Sequence, residues 1–226
     1  MSGKTRGCIA AFFVIALAGT AVAGPDWLEQ GDAGSTILTA QKPQRPVGAV
    51  SLESVAGTLA EGFNQPDYED LYYIRVMNPG NFSIRPVSAN FNVVLYLFNI
   101  TVNGEGYGLL GNDDESPTSS LPKLTAFSND GTGVQLSVPG DYVLAVTGRG
   151  RTPVSRSGPI FNLASPTEIS GPDGPGGFNP LMEWTGIGET GSYSFEMEAT
   201  DFPVVPGPGA LTIVAAAGLA FGRRRR

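Results

Sequence analysis

The sequence predicts an all-β protein, an antiparallel sandwich of about eight strands. Two observations carry this. Gly (31) and Pro (18) together make up more than a fifth of the 226 residues, while 41% of the chain is hydrophobic. That apolar content is too high for disorder, and the turn-former content too high for a helical or α/β chain; short strands joined by many turns satisfy both. The second is pattern: β-branched and aromatic runs of four to eight residues recur, punctuated by Asn-Gly, Asp-Gly, Pro-Gly and Gly-Asp, with no 10–15-residue helical pattern between them.

Along the chain, the first strand is expected within Val50 to Leu59 and the second at Leu71 to Val76. Asn78-Pro79-Gly80-Asn81 is a turn, followed by a strand from Phe82 to Val87. Val93 to Phe98 is the most apolar run and reads as a central strand. Leu124 to Phe127, Val134 to Val138, Tyr142 to Val146 and Tyr193 to Met197 complete the set. Residues 24–47 are polar and aperiodic and read as a linker; residues 48–202 form the domain. Within it, 151–188 carries six prolines and Gly171-Pro172-Asp173-Gly174-Pro175-Gly176-Gly177, and reads as a long loop.

Both ends read as sorting signals. Residues 1–23 place Lys4 and Arg6 before an apolar stretch from Cys8 to Ala18, then Ala21-Val22-Ala23, which predicts a signal helix cut before Gly24 by signal peptidase. An uncut anchor is the alternative, but the apolar run is shorter than the ~20 residues of a spanning helix. Residues 203–226 hold Val205-Pro206-Gly207-Pro208-Gly209, an apolar stretch from Ala210 to Phe221, and the cluster Arg223, Arg224, Arg225, Arg226. The arginines would stay on the cytoplasmic side as a stop-transfer signal. Twelve apolar residues rise about 18 Å as a helix, short of the ~30 Å hydrocarbon core, so a transient inner-membrane intermediate fits better than a permanent tail anchor.

This tail resembles the PEP-CTERM sorting signals recognised by exosortase-type transpeptidases of Gram-negative bacteria. The resemblance covers about the last 23 residues, with Pro206-Gly207-Pro208 where Pro-Glu-Pro would stand; variants with Val-Pro-x-Pro-Gly occur in that group. It implies an exosortase-type partner and a destination in the cell envelope or an extracellular polysaccharide matrix. Between the ends, Asp67-Tyr68-Glu69-Asp70-Leu71-Tyr72-Tyr73-Ile74, Val94 to Phe98, Leu110-Gly111-Asn112-Asp113-Asp114, Pro139 to Val146 and Gly191 to Phe195 resemble the bacterial pre-peptidase C-terminal domain. That resemblance implies a jelly-roll-like sandwich of the kind found beside secreted hydrolases, although no hydrolase accompanies it here.

Composition excludes several chemistries. The chain has no His, and its one Cys, Cys8, lies in the signal segment, so His-based triads, imidazole bases and disulfides are not available to the processed protein. Setting aside Lys4, Arg6 and Arg223 to Arg226 leaves 8 basic residues of the 14 against 21 acidic ones, a net of −13, which argues against nucleic acid as a partner. Two acidic turns offer oxygen ligands for Ca²⁺: Asp67, Glu69 and Asp70, and Asn112, Asp113 and Asp114 with Glu115. The alternative is that Asp and Asn simply suit turns. Trp27, Trp184, Tyr68 and Tyr107 are candidate platforms for a sugar ring. Glu183 and Glu189 cannot be paired as a glycosidase dyad from sequence, and no Gly-x-Ser-x-Gly is present. The expected function is a non-enzymatic exported surface or matrix protein; the alternative is a carbohydrate- or calcium-binding accessory module.

Overall fold

The computed structural model describes residues 25–60 and 66–204. The signal segment with its cleavage site, Val205 to Gly209, the apolar tail and Arg223 to Arg226 lie outside the described residues.

The described chain is all-β, with no α-helix, and builds a sandwich-like body from two five-stranded sheets plus a small third one. The first sheet has the order β1 (Trp27–Leu28), β2 (Ser54–Leu59), β12 (Gly191–Glu198), β4 (Ser83–Ala89), β7 (Leu124–Thr125). The second runs β13 (Thr200–Asp201), β3 (Glu69–Val76), β8 (Gly140–Gly148), β5 (Val93–Ile100), β6 (Gly106–Asn112). All pairs are antiparallel except β1 with β2. The Val93 run is an interior strand, paired with β8 on one side and β6 on the other.

Period-two alternation sorts each strand's side chains between two environments. On the inner face, Tyr72, Ile74 and Val76 of β3, Leu95 and Leu97 of β5, and Leu144 and Val146 of β8 meet Val55, Ile84, Tyr193, Phe195 and Met197 of the first sheet. Each such buried aliphatic or aromatic side chain contributes about 1.5–3 kcal/mol relative to leaving it in water. On the outer face Leu71, Val94, Tyr96, Phe98, Val143 and Ala145 form a second apolar cluster. The second sheet is therefore buried on both sides, which explains why its strands read as continuous apolar runs.

Two segments cover that outer face, and both differ from the expectation. The 151–188 region is not one long loop: β9 (Thr152–Ser155), β10 (Gly158–Pro159) and β11 (Glu183–Thr185) pair into a three-stranded sheet, and Ile160, Phe161 and Trp184 pack on Tyr96 and Phe98. Of its prolines, Pro159 lies on the edge strand β10 and Pro166, Pro172, Pro175 and Pro180 lie between strands, while Pro153 stands in the interior strand β9. Residues 25–47 are not a detached linker either. β1 extends the first sheet, Gln41 bridges to Tyr72, and Ala33, Ile37 and Ala40 are buried. Strand β6 (GYGLLGN) was missed because its glycines hide the pattern. A Cβ at Gly108 would overlap Ile160 and crowd Phe161, so bare backbone makes room for the outer layer. Conversely, Val134 to Val138 forms no strand beyond a bridge from Gln135 to Phe127, flanked by the Leu136 amide on the Ala126 carbonyl and the Ser128 amide on the Val134 carbonyl.

Candidate functional site

The most concentrated set of titratable groups lies where the N-terminal segment meets the sandwich. Alternation along β3 points Asp70 inward with Tyr72, and it is fully buried. Its Oδ2 accepts the Tyr193 hydroxyl at 2.5 Å, and the Tyr193 and Tyr72 hydroxyls are 2.6 Å apart. Its Oδ1 accepts the Ala33 amide at 3.3 Å. Glu29, just past β1, accepts the Thr58 amide at 2.8 Å and reaches Asp70, and Asp67 completes the group. Gly57, paired with Tyr193 across the ladder, has no side chain to collide with the Tyr193 ring or the Glu29 carboxylate. Glu29, Asp67 and Asp70 bring carboxylate oxygens within 4.8 Å of one another.

No Lys or Arg is among the main influences on these carboxyls. Burial, then the charges of Asp67 and Glu29, push the Asp70 carboxyl up to about 9 against the hydrogen bonds from Tyr193 and Ala33. Burial, then Asp32, Glu29 and Glu69, push Asp67 up to about 7, and burial also raises Glu29. Burial raises both tyrosines far above their ordinary range, so they act as neutral hydrogen-bond carriers. Like charges this close cannot all ionise; a shared proton, or a hard cation with oxygen ligands, relieves them. Glu29 was missed because nothing local in the N-terminal segment marks a residue that docks beside a strand some forty positions away.

The expected first calcium set does not assemble as such. Glu69 follows the alternation to the outer face, away from Asp70, where Arg151 grips it with Nε and Nη2 at 2.7 and 3.1 Å. In the second turn, Asn112 is a clamp between loops. Its Nδ2 donates to the carbonyls of Asp114 (3.1 Å) and Glu168 (2.8 Å), and its Oδ1 accepts the Lys123 amide (2.7 Å). Glu115 pairs with Lys123 at 3.3 Å. Asp113 stays buried, faced by Arg149 at 3.8 Å, and burial followed by the Asp114 charge pushes its carboxyl up to about 6.

Three of the four aromatic candidates have packing or hydrogen-bond partners within the fold, and Tyr107 on β6 is half-buried. Trp184 is buried against Tyr96 and Phe98, its Nε1 donating to the Ser35 carbonyl at 2.8 Å. Trp27 is half-buried, donating to Gln41 Oε1 at 3.0 Å, and Tyr68 lies beneath the Arg151 guanidinium. Glu183 and Glu189 are exposed, and Glu189 accepts the Asn92 amide at 2.9 Å. A groove of about 410 Å³ on the first sheet is lined by Asp26, Glu53, Ser54, Arg85 and Glu196, but Asp26 is spent on the Glu53 amide and the Ser54 hydroxyl. Among the described residues no helix is long and apolar enough to cross a membrane. Compared with known proteins, the chain matches no family model, no curated protein and no solved structure.

Proposed function

We propose that this chain is an exported, non-enzymatic protein of the cell surface or extracellular matrix. It is processed by signal peptidase at its N-terminus and by an exosortase-type enzyme at its C-terminal signal. The β-sandwich-like body, of the jelly-roll kind implied by its resemblance to pre-peptidase C-terminal domains, is the part that remains outside. One observation supports the non-enzymatic reading: the most deeply set carboxyl of the densest titratable cluster is spent internally. Asp70 is fully buried, capped by Tyr193 and the Ala33 amide, and joins the N-terminal segment to the sheet instead of facing a cleft. A general acid or base must reach its substrate within hydrogen-bond distance, and a sealed carboxyl does not.

The test is an intact mass of the protein from its native host, taken separately on membrane and extracellular fractions. The expected species begins at Gly24 and lacks everything beyond about Pro206. A membrane-bound species that still ends at Arg226 would overturn the sorting reading and leave a tail-anchored envelope protein.

A further inference from the structure

The two large sheets differ on their outward sides. The 151–188 layer covers the second, whereas Thr58, Ser192, Glu196, Glu198 and Arg85 on the outward side of the first are exposed. Alternation and register set these side chains in order. Val55, Ile84, Leu124, Ala126, Phe195 and Met197 turn into the core, so their neighbours along each strand turn outward. Ser54 of β2 pairs with Glu196 of β12, and Glu196 with Arg85 of β4, which makes one row across three strands. Glu198, Ser83 and Thr125 make the next row, across β12, β4 and β7. Phe127 follows Thr125 by two positions on the same side, and its ring is 56% exposed. The groove of about 410 Å³ at the Asp26 end shares Ser83, Arg85 and Glu198 with a second of about 520 Å³ at the Phe127 end, so the two form one trough. It crosses β2, β12, β4 and β7, and four strands at about 4.8 Å spacing make it about 14 Å long or more.

We propose that this trough binds an extended, uncharged polysaccharide. Its floor is low and hydroxyl-rich, from Ser54, Ser83 and Thr125, which donate and accept hydrogen bonds. Glu196 and Arg85, 3.1 Å apart, set a carboxylate acceptor beside a guanidinium donor, and Glu198 adds a second acceptor. A sugar's neighbouring hydroxyls, each both donor and acceptor, match that mixture, whereas a purely apolar ligand does not. The exposed Phe127 ring offers the flat apolar surface on which the C–H face of a sugar can lie. Charge decides against ionic polymers. The carboxylates of Asp26, Glu53, Glu196 and Glu198 against Arg85 and Lys123 leave a formal −2, which disfavours a polyanion. Both cations already hold carboxylates, Arg85 that of Glu196 and Lys123 that of Glu115. A polycation would meet those same two cations in the half that carries Phe127. The proposal deepens the surface or matrix reading by naming what the body holds, and rests on it for where that polymer is met.

The test is calorimetric titration of the protein purified from its host with neutral glucose, mannose and galactose hexasaccharides. Polygalacturonate serves as the polyanion and chitosan oligomers as the polycation. A neutral hexasaccharide should bind, and more tightly than its monosaccharide, because the trough is long. Phe127→Ala should weaken that binding about tenfold while leaving the urea midpoint near the parent's, since the ring is exposed. Should that variant fold poorly, Arg85→Ala, which breaks only an exposed ion pair, should weaken binding by a similar factor. Phe178→Ala, 96% exposed in the 151–188 region, should leave it unchanged. No binding of any neutral hexasaccharide overturns the proposal, as does tighter binding of either charged polymer. Binding that survives both Phe127→Ala and Arg85→Ala, or is lost in Phe178→Ala, overturns it too by moving the sugar elsewhere. The intact mass of the host protein tests the sorting reading separately, so either can fail while the other stands.

Discussion

Raising the pH should loosen this protein, and Asp70 should be the main reason. Its folded-state carboxyl is pushed up to about 9 and that of Asp67 up to about 7, whereas unfolded carboxyls titrate near about 4. A folded chain that binds the proton more tightly than the unfolded one has its full contribution below about pH 4. The contribution is lost as pH rises through about 7 for Asp67 and about 9 for Asp70. One such proton gives a slope of about 1.4 kcal/mol per pH unit, so Asp70 removes up to about 4 kcal/mol between about pH 5 and about pH 8. Asp67 is only half-buried and solvent screening cuts its share to less than about 1 kcal/mol. The perturbation is Asp70→Asn, which keeps the shape and cannot ionise. Urea unfolding at the two pH values, in chelator, gives the stability loss for parent and variant. Asp113 titrates in the same direction but is present in both proteins, so the difference in slope belongs to Asp70 and its neighbours. A variant whose stability falls with pH as steeply as the parent's would refute the reasoning, because the proton would then reside elsewhere.

Two further outcomes follow from the outer layer. Trp184→Ala removes a buried indole that packs on Tyr96 and Phe98 and holds Ser35, and should cost about 3–5 kcal/mol in denaturant unfolding. Arg151→Ala strands Glu69, whose side chain is 8% exposed, and should also cost about 3–5 kcal/mol; Glu69→Gln added to that variant should recover part of the loss in the same assay.

How far the sequence spoke depended on whether the deciding contact was local. The strands at Leu71, Val93, Tyr142 and Tyr193 announce themselves, because apolar runs between turn residues are a property of a few consecutive positions. β6 was silent because Gly106, Gly108 and Gly111 were chosen for what lies above them, not for strand propensity. The same holds for 25–47 and 151–188, whose polar and Pro-rich composition is compatible with docking on an apolar face that only the folded sheet creates. At the site, the sequence set Asp67, Glu69 and Asp70 together; in the fold Asp67 and Asp70 meet Glu29, while alternation along β3 turns the Glu69 side chain away from Asp70 to Arg151. Glu29 was not legible, since nothing near it in sequence records the carboxylates it meets.

The indole of Trp184 and the carbonyl of Ser35 are 149 positions apart in the chain, yet they close one layer over one sheet. Such a contact carries a high loop-closure cost in folding. Residues 25–41 emerge before β3, β5 and β8, so they have no surface to dock on until those strands have paired, and the indole that anchors them follows all three. Non-local closure of this kind is slow because chain entropy is lost before the contacts that reward it form. In the interval Val94, Tyr96 and Phe98 face water as a bare apolar sheet, the type of surface on which partly folded chains associate. Shortening that interval, for instance with a tighter 156–182 connection, should raise the yield of refolded protein more than it raises equilibrium stability.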